Sequence, residues 1–128
     1  MDNKTTGENA DWMLKAMVVV AASDGALDER ESVLIRQIYE DRSGRALSAD
    51  EVSQAAKTFD NSDAIAAFTA ASKTLDQATK EEVIRCAYRV LLADNRIAGE
   101  ERKKLKNIAD ALRISEVHFG AILEDSAA

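Results

Sequence analysis

Two pairs of acids at matched spacing are the most chemically suggestive feature of this sequence. Asp24 is followed by Gly25, the aliphatic Leu27 and Glu31; seventy positions later Asp94 is followed by Asn95, Ile97 and Glu101. Carboxylate oxygens are hard donors that suit a divalent cation such as calcium or magnesium, and four of them form a usable ligand set if the two loops are neighbours. The spacing is not that of an EF-hand, because Ala26 and Arg96 stand where that loop wants an acid or amide, so a modest affinity is expected. The first loop region, with Asp24, Asp28, Glu29 and Glu31 against Arg30, is the more acidic. In the second, Arg96 and Arg102 compete with Asp94, Glu100 and Glu101, so a single site would use the first half.

The same acids have a purely structural reading. Asp24 and Asp94 fall at the C-terminal ends of helices, where the helix dipole disfavours negative charge by a few tenths to about 1 kcal/mol. An Asx-type turn accepting backbone N–H groups would offset that cost. Glu31 and Glu101 fall at the third position of the following helices, where a carboxylate caps the helix and meets the positive end of the dipole. Other reactive groups are sparse. Cys86 lies among Ile84, Ala87 and Val90 and reads as a small buried hydrophobe, and His118 reads as a capping or surface imidazole. One Cys and one His exclude a disulfide and the usual zinc sites.

The elements that must position these groups are helices. Zero prolines and five glycines, beside abundant Ala, Leu, Glu, Lys and Arg, favour an all-α fold. Hydrophobic periodicity predicts about seven short helices in a compact bundle: roughly 10–23, 28–41, from Ser48 to about 60, about 64–75, from Thr79, about 98–112, and from Ser115. Ser48 with Glu51, and Thr79 with Glu82, match the capping-box pattern, and Asp28 with Glu31 has the same form. Leu47 and Val52, and likewise Ile114 and Phe119, occupy hydrophobic-staple positions. The seventy-residue offset also lays Val20 on Val90, Ile35 on Leu105 and Ile38 on Ile108, which predicts two pseudo-repeated helix-loop-helix halves.

The whole chain of 128 residues is one domain's worth, read as a flexible tail at 1–9 and a single helical domain at 10–125. A formal charge of −6 repels polyanions, so nucleic acid is not an expected partner. The short basic run Arg102-Lys103-Lys104-Leu105-Lys106 reads as a solvated helix face. The longest apolar run, Met13–Ala22, contains Lys15 and spans about half a membrane, and the polar start lacks a signal peptide's order. A cytoplasmic protein without direct membrane insertion is expected. Trp12 reads as a residue at the edge of the core.

The segments Ala22-Ser23-Asp24-Gly25-Ala26-Leu27 with Glu31, and Leu92-Ala93-Asp94-Asn95-Arg96-Ile97 with Glu101, resemble the TerB-like family, from about Trp12 to Leu123. That family takes in tellurite-resistance TerB and the N-terminal domain of a membrane-anchored co-chaperone. The resemblance implies an all-helical fold with two related halves and an acidic, cation-binding surface whose positions fall on Asp24, Glu31, Asp94 and Glu101. It supplies no reaction. Asn95 departs from the usual glycine, keeping the turn but adding a side chain near the second loop. The reading is a non-enzymatic accessory or interaction module of a stress-response system. It requires no cofactor, binds a divalent cation at the four acids, and meets a protein partner, which a membrane-associated protein could be. The alternative is a metal-independent adaptor whose acids are structural caps. A metal-assisted hydrolase ranks behind both, since the only His is far along the chain from both acid motifs.

Overall fold

The computed structural model describes the backbone of residues 7–22, 27–60, 64–93 and 99–127. Within these residues the chain forms seven α-helices and no strand: α1 Gly7–Ala21, α2 Glu29–Ser43, α3 Ala49–Asp60, α4 Ala64–Ala71, α5 Gln77–Ala93, α6 Gly99–Ala111 and α7 Glu116–Ala127. α1 begins three residues before the expected start, taking Gly7 to Asn9 out of the anticipated tail.

Local chemistry explains most boundaries. Asp28 caps α2 by accepting the Glu31 N–H (2.7 Å), and the Glu31 carboxylate accepts the Asp28 N–H in return (3.2 Å). Gly44, at φ 74°, closes the same helix in the left-handed conformation, its N–H donating to the Glu40 carbonyl. Ser48 and Glu51 make the same reciprocal pair at α3, at 3.1 and 3.0 Å. The Ser115 hydroxyl accepts the His118 N–H (3.1 Å) and starts α7, with Ile114 and Phe119 both buried beside it.

Two further boundaries differ from the sequence expectation. α4 stops at Ala71 rather than running to Leu75. The Ser72 and Thr74 hydroxyls donate back to the carbonyls of Thr69 and Ala71, and the Thr74 and Leu75 N–H groups both turn onto the Ala71 carbonyl, which tightens the chain out of the α-helix. α5 starts at Gln77, capped by Asp76, whose Oδ1 accepts the Thr79 N–H at 2.8 Å. The expected Thr79–Glu82 capping box is therefore not formed. Thr79 is already one turn inside the helix, and Glu82 faces Arg42 of α2 instead.

α1 and α5 form the centre. α1 packs most extensively on α5 and also touches α2, α3 and α6; α5 touches α2, α6 and α7, while α4 lies against α6. Asn9 Nδ2 donates to Thr79 Oγ1 (3.2 Å), and further along both helices the Cys86 thiol lies 3.6 Å from Met13 Sδ. These contacts advance together along the two helices, so α1 and α5 run in the same direction. Met13, Ala16, Met17 and Val20 of α1 and Val83, Ile84, Ala87, Val90 and Leu91 of α5 are fully buried. Leu105, Ile108, Ala109 and Leu112 of α6 complete this core as the periodicity predicts. Trp12 sits at its edge, its ring tilted 51° against Phe68 at 5.3 Å, with Lys15 Nζ 4.2 Å from its centre.

Candidate functional site

Of the four acids singled out by spacing, Glu31 is the one whose side chain is among the described residues. It is buried at 7% exposure in the first turn of α2, and its carboxylate engages the Asp28 backbone. A charge this shielded needs strong partners, and the cap together with the positive end of α2 supplies them. Asp24 and Asp94, with Gly25, Asn95 and Ile97, lie outside the described residues. Glu101 belongs to the first turn of α6, with its side chain likewise outside the description. Leu27, the aliphatic anchor of the first motif, is half-buried against the core.

The surrounding elements have a regular arrangement. α1 ends at Ala21 and α5 at Ala93, and each is followed by an Asp-containing connection into the next helix. Because α1 and α5 run in the same direction, Ala21 and Ala93 lie at the same end of the central pair. Glu31 carries hard oxygen donors of the kind a divalent cation takes, and its carboxylate already serves the helix cap. Among the described residues, no group of three or more His, Cys, Asp and Glu is placed to hold a metal ion.

Polar contacts that sequence spacing did not reveal join α5 to its neighbours. Arg42 Nε of α2 lies 2.8 Å from Glu82 Oε1, at ion-pair distance but off the N–H direction, and Glu82 in turn approaches the Cys86 thiol at 3.9 Å. Burial, reinforced by the Glu82 charge, pushes that thiol up to about 12, so it is a neutral core group rather than a nucleophile. On the other side of α5, Glu81 reaches Arg85 (3.5 Å) and the His118 imidazole of α7 (3.2 Å), whose other nitrogen meets Gln77 at 3.3 Å. Arg85 also approaches Asp125 at 3.5 Å. The signals for these pairs lie in separate stretches of chain, and only the packing of α5 on α2 and α7 unites them. In the basic run, Arg102 and Lys103 are exposed, while Lys106 pairs with Asp110 (3.0 Å) and approaches Glu116 (3.7 Å).

Among the described residues, fold and side chains define an all-α bundle in which polar groups form helix caps and helix-to-helix pairs. The family model for tellurite resistance protein TerB matches residues 42–124, more than half of the chain, and the chain belongs to that family. The match takes in Asp94 and Glu101 and begins after Asp24 and Glu31. Comparison with curated proteins and with solved structures gives no match. No helix among the described residues is long and apolar enough to cross a membrane.

Proposed function

We propose that this chain is a non-enzymatic interaction module of a stress-response system of the tellurite-resistance kind, whose two Asp–Glu motifs form one acidic, divalent-cation-responsive surface for a protein partner. The observation that carries the reading is the common direction of α1 and α5, whose last residues, Ala21 and Ala93, stand three and one positions before Asp24 and Asp94 in the sequence. The spacing of the elements supports it: α1 and α5 start at Gly7 and Gln77, and α2 and α6 at Glu29 and Gly99, seventy residues apart in both cases. Contacts between helices follow the same plan, since α1 meets α2 and α3 as α5 meets α6 and α7. Calcium or magnesium suits four carboxylates better than a softer metal does. TerB-family membership supports the accessory role, with which a cytoplasmic setting is proposed.

A calcium and magnesium titration followed by amide NMR over 24–31 and 94–101, with melting in parallel, tests this reading. Saturable shifts in both segments and a rise in melting temperature with cation concentration are expected, and Asp24→Asn abolishes both. No saturable response up to about millimolar cation, the weak end of calcium sites, sinks it. The capping box around Glu31 favours a second reading, in which the acids are structural and a metal-independent adaptor binds its partner through a helix face. That reading expects Glu31→Gln to loosen α2 with no cation effect in the parent.

A further inference from the structure

We draw no further inference here: the strongest candidate, the open apolar hollow on the outer face of α2 lined by Glu29, Arg30, Val33, Leu34 and Gln37, carries none, because nothing in the structure shows what covers it.

Discussion

At the start of α3 two side chains hold each other's backbone, Ser48 accepting the Glu51 N–H and Glu51 accepting the Ser48 N–H. Ser48→Ala should lower stability by about 1 kcal/mol, read from thermal or urea unfolding. The Ser48 N–H and then its hydroxyl hold the Glu51 carboxyl below its ordinary 4.5, and the Thr79 hydroxyl and then its N–H hold Asp76 below 3.8. A carboxyl depressed by folding stabilises above its unfolded value, and that contribution is lost as pH falls through the folded one. Both caps are thus at full strength above 4.5 and fade as the solution is acidified past 3.8. The variant E51Q/D76N is expected to melt lower than the parent at neutral pH and to close that gap in acid. A gap that stays constant down the acid range would remove the caps from the account. Glu82 belongs to a different class, since its partner is Arg42 on another helix. With both side chains partly exposed, E82Q should cost about 1 kcal/mol or less.

Among the elements, what the sequence made legible was whatever a helix settles within its own few residues. Asp28 with Glu31, Ser48 with Glu51, and Ser115 each act within one turn, and each does in the structure what its spacing implied. Thr79 with Glu82 fits the same pattern and fails for a tertiary reason: Asp76, three residues upstream, takes the Thr79 N–H, and a helix folded from residues 29–43 supplies Glu82 with a cation. The end of α4 was obscured similarly, because Ser72 and Leu75 keep helical spacing while the neighbouring hydroxyls unwind the turn. α6 ends with Arg113 at φ 63°, and the Ile114 N–H reaches back to the Ala109 carbonyl in a Schellman-type closure that glycine normally serves. Left-handed backbone strains a residue with a Cβ, whereas glycine loses more freedom on folding, so Arg113→Gly should stabilise modestly, by up to about 1 kcal/mol. Gly120 presents the opposite case within α7, where an added Cβ would meet nothing within 4 Å. Gly120→Ala should therefore raise stability by about 1 kcal/mol through helix propensity alone, measured by the shift in urea midpoint at constant slope.

Across the whole molecule, composition and periodicity made the all-α class and the buried faces readable, because burial of an apolar stripe is a property of each helix taken alone. Which helices lie side by side was not readable, and the α1–α5 core, the Arg42–Glu82 pair and the His118–Glu81 pair all depend on that. For the candidate site, residue types were legible, whereas whether the two motifs meet is decided by the packing of helices more than fifty residues apart, which no spacing encodes. α1 lies upstream of the TerB match yet contacts α2, α3, α5 and α6, so the matched elements and the rest of the chain share one core. That sharing can be tested with the buried thiol. Cys86 is fully buried with its proton held to about pH 12, so a thiol reagent near neutral pH can reach it only when the core opens. Met17, also fully buried on α1, is expected to lose about 2–5 kcal/mol of stability as Met17→Ala. If the chain opens as one unit, the thiol reaction at low reagent must accelerate by the factor that this loss dictates, about tenfold for every 1.4 kcal/mol. An acceleration well short of that factor would mean that Cys86 is exposed by a smaller opening that leaves α1 in place, and the single cooperative core would have to be given up.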